Sequence, residues 1–354
     1  MVMAGGTGGH VYPALAVAHE LRARGVDITW LGTPDSFESR VIPDQGFRLE
    51  TVKISGLRGK GLRRWLSLPF NLATAMLQAG RVLVRNRPAL VLGMGGFVSG
   101  PGGLVARLMG IPLVIHEQNA IPGMTNRWLA RIATRVAEAF PGSFGTSRDV
   151  VVTGNPVRRE IVGLRAGRST EITEGPMRLL VLGGSLGAQA LNETLPAAVA
   201  RMDASLRPRI RHQAGKGKDE QTRRDYAGAG VEADVSPFIA NMAEAYAWAD
   251  IVVCRAGALT VSELAAAGVG AILVPYPHAV DDHQTRNAQY LVAGGAALLM
   301  PQQQLEPGGL ANALTALASA PEQRRAMAAA AKSLGRPEAT MRVADLCEEV
   351  LRHE

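Results

Sequence analysis

The residues of this chain whose types and spacing could do chemistry begin with two glycine loops. Gly5-Gly6-Thr7-Gly8-Gly9-His10 follows the short apolar run Val2–Ala4, and Gly183-Gly184-Ser185-Leu186-Gly187 follows the strand candidate Arg178–Leu182. A glycine loop that opens a helix presents unobstructed backbone N–H groups and the positive end of the helix dipole, so it could hold a sugar or pyrophosphate oxygen. A tight strand-to-helix turn explains the same glycines equally simply. His10 stands where the first loop becomes a helix. An imidazole there could accept a proton from an attacking hydroxyl, or could simply pack against the next loop.

A third cluster, Arg255-Ala256-Gly257-Ala258-Leu259-Thr260-Val261-Ser262-Glu263, follows the strand candidate Asp250–Cys254. The first amides of the helix it begins could bind a diphosphate. Glu263 could accept two hydrogen bonds from a ribose diol, although Thr260-x-x-Glu263 is also a capping box. His116-Glu117-Gln118-Asn119 leaves the apolar run Pro112–Ile115, and reads either as a site or as a solvated loop. Asp281-Asp282-His283-Gln284, with His278 nearby, supplies acids and imidazoles, but nothing joins them at ligand spacing, so no metal is expected. A nicotinamide fingerprint needs G-x-G-x-x-G. From Gly6 the chain reads Gly6-Thr7-Gly8-Gly9-His10-Val11, without the third glycine, the loop at Gly183 does not match either, and no Walker lysine follows any loop. No cofactor is expected.

These residues need elements to position them. A strand, glycine loop and helix unit occurs at the start of the chain and again from Arg178, and further apolar runs at Ala89–Leu92, Pro112–Ile115, Val150–Val152, Asp250–Val253 and Ala271–Val274 suit buried parallel strands. With helical patterns between them, they predict two doubly wound α/β domains, as the length of 354 residues also suggests. The boundary is placed near Gly154-Asn155-Pro156, giving domains 1–157 and 158–336, with a polar stretch to Gly175 as linker. Ligands in such sheets sit at the carboxyl ends of the strands, and a cleft between two facing domains is the expected active site. Cys254 and Cys347 are expected to be reduced thiols of a cytosolic protein. No signal peptide is expected, because Met1–Ala4 runs straight into the glycine loop. The long uncharged stretches Pro88–Ala106 and Leu264–Val280 are broken by glycine and proline, so a soluble or peripheral protein is predicted.

The net charge of +7 is unevenly spread: between Glu50 and Glu117 there is no acid but nine basic residues. Within that region Leu62, Trp65, Leu66, Phe70, Ala73 and Leu77 approximate one helical face, interrupted at Pro69, with Arg63 and Arg64 beside it. Apolar residues ringed by basic ones suit an anionic membrane surface, at about 1 kcal/mol per well-placed basic side chain. A buried helix with a solvated basic face is the plainer alternative. Nucleic acid is not an expected partner, as only Trp65 and Phe70 accompany the charges.

Taken in order, these segments resemble the MurG family of lipid-linked N-acetylglucosamine transferases of peptidoglycan synthesis. The match rests on the loops at Gly5–His10 and Gly183–Ser185, on Ser55–Gly61, Gly93–Gly103, His116–Asn119, Gly154–Arg158 and Arg255–Glu263, and on Asp282-His283-Gln284. The resemblance implies a GT-B fold of two Rossmann-like domains, with a C-terminal segment, 337–354, returning to the first. It implies UDP-N-acetylglucosamine as donor, held mainly by the second domain, with Arg158 and Ser185 on the nucleotide and Ile239 on the uracil. Ala258 and Leu259, with Thr260, Val261 and Ser262 beside them, would meet the diphosphate, Glu263 the ribose, and Gln284 and Asn119 the sugar. Thr7, Gly8, Gly9 and His10 would face the acceptor, the 4-hydroxyl of an undecaprenyl-diphosphate-linked muramyl pentapeptide, with His10 as base of an inverting displacement. The implied location is the cytoplasmic face of the bacterial inner membrane. A GT-B transferase with another acceptor, or a UDP-N-acetylglucosamine epimerase, shares the architecture. Two departures stand out: Phe97 replaces the tyrosine of many relatives, and residue 1 lies so near the first loop that a short first strand, lacking a few native residues, is expected.

Overall fold

The structure is a computed structural model that describes residues 1–54, 62–145, 149–167, 175–184 and 187–353, without the side chains of 62–68, 166, 167 and 280. The chain forms two compact units, Met1–Arg158 with Pro337–Glu354, and Arg159–Arg336.

The first unit is built on strands β1 (Val2–Met3), β2 (Thr29–Gly32), β3 (Arg48–Thr51), β4 (Val91–Gly93), β5 (Leu113–Glu117), β6 (Arg135–Glu138) and β7 (Val150–Val152). Its described strands are all parallel, in the order β3-β2-β1-β4-β5-β6-β7. Both faces are covered, which is why the central strands are apolar throughout. Val2, Trp30, Leu92 and Val114 point to one core with the helix Gly8–Ala23, while Met3, Leu31, Val91 and Leu113 point to the other, with the helices Leu62–Asn86 and Ser99–Leu108. The C-terminal helix Ala339–His353 inserts Val343, Leu346, Cys347 and Val350 into the first of these cores. Arg24 ties it down through Asp345 at 2.6 Å and Glu348 at 3.3 Å.

The helix Leu62–Asn86 runs through Pro69 rather than breaking there. A proline removes one backbone bond, and the turns beyond it are anchored by buried Ala75, Ala79 and Leu83.

The second unit repeats the plan with β8 (Arg178–Leu182), β9 (Arg209–Gln213), β10 (Asp234–Ser236), β11 (Ile251–Cys254), β12 (Gly270–Leu273) and β13 (Ala297–Leu299), parallel in the order β10-β9-β8-β11-β12-β13. The helices Gln189–Ala200 and Pro307–Ser319 pack over one face. In each sheet the strand order reverses at one place, between β1 and β4 and between β8 and β11. Helices leave the two strands on opposite faces there, which opens a crevice at their carboxyl ends. The glycine loops lie at these two points.

Candidate functional site

In the first unit the loops after β1 and β4 meet. Gly95 and Gly96 have φ of +95° and +87°, and a methyl group on Gly96 would stand 2.5 Å from the Gly5 carbonyl oxygen. Only glycine permits both the left-handed backbone and that approach. Glu38 fixes the other side of the loop: its carboxylate accepts from the Gly6 amide at 2.9 Å, the Thr33 amide at 3.0 Å and the Thr33 hydroxyl at 2.7 Å. Burial opposes its charge, but these hydrogen bonds outweigh burial and hold the carboxyl below its usual range. Thr7 is the helix N-cap without a side-chain capping bond, and Thr7, Gly8 and Gly9 are wholly or partly exposed. The His10 amide donates to the Thr7 carbonyl at 3.1 Å, which leaves the amides of Gly8 and Gly9 at the helix mouth.

His10 lies on that first turn, half-buried, with Nδ1 2.9 Å from Gln118 Oε1. The polar quartet is not a loop leaving a strand: β5 continues through His116 and Glu117, and both are buried. They can end a buried strand because each is satisfied internally. His116 Nε2 is 2.9 Å from the Gly154 carbonyl oxygen and Nδ1 is 3.1 Å from Gln118 Nε2, and burial pushes the imidazole down to about 4. The Glu117 carboxylate accepts from the Asn119 amide at 2.9 Å, the Asn119 side chain at 3.2 Å, Gly123 N at 3.1 Å and Asn126 Nδ2 at 2.9 Å. Glu117 therefore sets the pose of Asn119.

In the second unit the loop after β11 leads into the helix Ala258–Ala267, whose N-cap is Gly257. The capping box expected of Thr260 and Glu263 does not form. The helix starts at Ala258, so Thr260 is already inside its first turn and Glu263 lies in its body. Gly257 offers no capping side chain, which leaves the amides of Ala258, Leu259 and Thr260 at the helix mouth. Val261 is core, and the Ser262 hydroxyl bonds back to the Ala258 carbonyl at 2.9 Å. Glu263 is buried and accepts from the Tyr246 hydroxyl at 3.1 Å. Burial, then the Glu263 charge, pushes the Cys254 thiol up to about 12, so Cys254 is an inert core group.

Beside that helix a cavity of about 360 Å³ is lined by Gly183, Gly187, Lys218, Arg255, Tyr276, Gln284 and Gln302. Gln284 Oε1 accepts from the Tyr276 amide at 2.9 Å. Arg255 is braced by the carbonyls of Val274 at 3.1 Å and Pro275 at 3.2 Å and by Gln302 Oε1 at 2.5 Å. Ile239 is half-buried in the loop after β10, on the same sheet edge. Arg158 falls in the first unit, its guanidinium 5.7 Å above the Tyr12 ring.

Ser185 and the segment 55–61 lie outside the described residues, as do the side chains of Arg63, Arg64, Trp65 and Leu66. Phe70 is 75% exposed and lines a groove of about 1090 Å³ with Leu72, Phe97, Leu104, Met124 and Trp128. Lys53 and Arg131 also line it. Among the described residues no group of three or more His, Cys, Asp or Glu is placed to hold a metal, and no helix is long and apolar enough to cross a membrane.

Residues 1–138 match the glycosyltransferase family 28 N-terminal domain and residues 178–348 the family 28 C-terminal domain. The chain is 55% identical over 350 residues to the UDP-N-acetylglucosamine–N-acetylmuramyl-(pentapeptide) pyrophosphoryl-undecaprenol N-acetylglucosamine transferase of Stutzerimonas stutzeri, covering 99% of this chain and 98% of that one. It belongs to that transferase family. The Pseudomonas aeruginosa LESB58 relative of the same name is also 55% identical, over 352 residues. The crystal structure of Acinetobacter baumannii MurG superposes with a TM-score of 0.86 at 44% identity, covering 99% of both chains. A UDP-GlcNAc 2-epimerase from Neisseria meningitidis superposes at 0.66 with 13% identity, a likeness of fold alone. For this member of the MurG family, three residues that sequence reading left without a role gain one from their contacts: Glu38, Glu117 and Gln118. Glu117 and Gln118 were visible as part of a polar run. Glu38 sits in the first turn of the short helix Phe37–Asp44 and gave no signal.

Proposed function

We propose that this chain transfers N-acetylglucosamine from UDP-N-acetylglucosamine to the 4-hydroxyl of the N-acetylmuramyl residue of an undecaprenyl-diphosphate-linked pentapeptide, inverting the anomeric centre. The observation that carries the reading is a half-buried histidine on an uncapped glycine-loop helix, in a chain 55% identical to transferases named for that reaction. The acceptor oxygen attacks the anomeric carbon as His10 takes its proton. The anomeric carbon–oxygen bond breaks with its electron pair passing to UDP. Helix-mouth amides at Ala258–Thr260 meet the developing charge on the diphosphate. Glu263 takes the ribose, Asn119 and Gln284 the sugar, Ile239 the uracil, and Arg158 and Ser185 the nucleotide. The first unit takes the acceptor and the second most of the donor.

The groove at Phe70 and Phe97, with the basic residues of the helix Leu62–Asn86, supports peripheral attachment to the anionic cytoplasmic face of the inner membrane. Work there feeds cell-wall growth, and through it cell shape and division. Trp65→Ser with charge reversal at Arg63 and Arg64 should weaken binding to anionic vesicles without lowering the melting temperature; unchanged binding removes the patch from the reading.

The deciding experiment measures UDP release from UDP-N-acetylglucosamine with and without the lipid-linked muramyl pentapeptide, with UDP-galactose as control. Release that needs both the acceptor and the N-acetylglucosamine donor supports the proposal. Donor conversion without acceptor would point to an epimerase, and no release from folded protein would overturn the assigned acceptor.

A further inference from the structure

We propose that Gln118 is a positioning residue that holds His10 in its Nδ1–H tautomer, so that the lone pair used as base is on Nε2. The inference rests on the reading of His10 as the base, and goes beyond it by assigning the atom and the cause. Two groups in this cluster, the main-chain oxygens of His116 and Gly154, can only accept. The Gln118 carboxamide turns one end toward the main-chain oxygen of His116 at 3.2 Å and toward His116 Nδ1 at 3.1 Å. A carbonyl oxygen facing the His116 oxygen would be repelled, so that end is the NH2 group. His116 Nδ1 then accepts, and His116 Nε2 carries the hydrogen and donates to the Gly154 carbonyl at 2.9 Å, itself only an acceptor. Both anchors give the same answer independently. Burial keeps His116 neutral, so it has one hydrogen to place.

The other end of the carboxamide is therefore oxygen, and it faces His10 Nδ1 at 2.9 Å. An oxygen acceptor there requires Nδ1–H. Gln118 is only 1% exposed, and His116 is fully buried, so the arrangement is shielded from water that could serve either end. When His10 takes the acceptor's proton on Nε2, the imidazolium keeps Nδ1–H and keeps the same bond. The chain from Gly154 to His10 holds a tautomer, and no proton needs to travel along it.

The test reads the tautomer directly, by nitrogen NMR of the imidazoles in the full-length protein labelled at histidine, in buffer alkaline enough to keep the rings neutral. The His10 signals are identified by their loss in His10→Asn. The expected result is a protonated Nδ1 and an unprotonated Nε2 in the wild type. Gln118→Leu should lose that preference and lower kcat by roughly 10²-fold, within the range a positioned base contributes, while the KM for UDP-N-acetylglucosamine stays within about threefold, far less than the 10²-fold lost from kcat if positioning alone is removed. A wild-type His10 protonated at Nε2 overturns the inference, whatever its role in turnover, and that spectrum decides the matter even if the variant fails to fold. Full turnover in His10→Ala would instead remove the base reading while leaving the tautomer assignment measurable.

Discussion

Gly95→Ala should disable the enzyme without unfolding it. The added methyl would lie 2.6 Å from His10 Nδ1 and 2.8 Å from Cε1, where ordinary contact begins at 3.4 Å, so the ring must retreat by about 0.8 Å. Its 2.9 Å bond to Gln118 has only a few tenths of an ångström to spare before it is lost. A displacement near 1 Å at a reacting group costs about 10²-fold in rate. The alanine also pays for a φ of +95°, roughly 1–2 kcal/mol. That second cost can be subtracted experimentally. Gly110 has a φ of +76° with nothing within 4 Å of the added carbon, so Gly110→Ala carries the backbone strain alone. UDP release at saturating donor and acceptor, beside a thermal melt of each variant, separates the effects. Both variants should melt lower by about 2–4 °C per kcal/mol lost, but only Gly95→Ala should lose about 10²-fold in kcat. Gly96→Ala should melt lower than either, because its methyl meets Gly5 backbone at 2.5 Å instead of the end of a side chain. If Gly95→Ala turned over as fast as Gly110→Ala, the placement of His10 against this loop would not matter to catalysis, and the reasoning would fail.

Three further outcomes follow from the contacts. Glu117→Gln replaces a carboxylate that accepts four N–H bonds with a carboxamide that has one accepting oxygen, so it should destabilise the first unit by roughly 1–3 kcal/mol. It should also raise the donor KM through Asn119, and an unchanged KM would remove Asn119 from the sugar site. Glu263→Gln keeps an acceptor for the Tyr246 hydroxyl but removes the charge on which the proposed ribose contact depends, so donor KM should rise about 10-fold or more with little change in melting; an unaltered KM refutes the ribose role. Burial holds His116 at about 4 and His212 at about 3, below the ordinary 6.5, so the unfolded chain binds protons that the folded protein refuses. Stability is therefore full above about pH 6.5 and falls below it by roughly 1.4 kcal/mol per pH unit for each ring. Chemical denaturation of wild type and His212→Gln at pH 6.5, 5.5 and 4.5 checks the sign: the variant should have the shallower dependence.

The repeated strand and glycine-loop pattern was legible because it is local. Val2–Met3 and Arg178–Leu182 are apolar runs ending in glycine, and the parallel architecture follows from runs buried on both faces. Five strands escaped notice, β3, β6, β9, β10 and β13, and the first three read Arg-Leu-Glu-Thr, Arg-Val-Ala-Glu and Arg-Ile-Arg-His-Gln. Their charges are tolerated for reasons remote in sequence or dependent on the loop's shape. Glu138, at the end of β6, is buried because the amides of Gly142 and Phe144 donate to it at 2.7 and 3.2 Å. His116 is buried because Gly154 waits for it on another loop. The capping-box alternative in the helix Ala258–Ala267 failed for a different reason. Thr260 and Glu263 have capping spacing, but the strand-to-helix turn is already made at Gly257, so the signal fell one turn late.

The two switch points share a backbone plan and differ in what the first helical turn offers. After β1 that turn supplies an imidazole among glycines; after β11 it supplies aliphatic side chains and a threonine, with no titratable group. Arg255 is not a mobile cation there, since two carbonyls and Gln302 hold its guanidinium. A diphosphate at this mouth would thus meet the helix's partial positive charge of about half a unit and its amides, with Lys218 as a further charged side chain on the neighbouring cavity wall, beside Arg255. Fixed dipoles need no proton, so the leaving-group side of the reaction should be insensitive to pH. Neutralising Lys218 and altering Gln118 should then act on different quantities: the first on the affinity for donor and UDP, the second on the rate at which the acceptor's proton is taken.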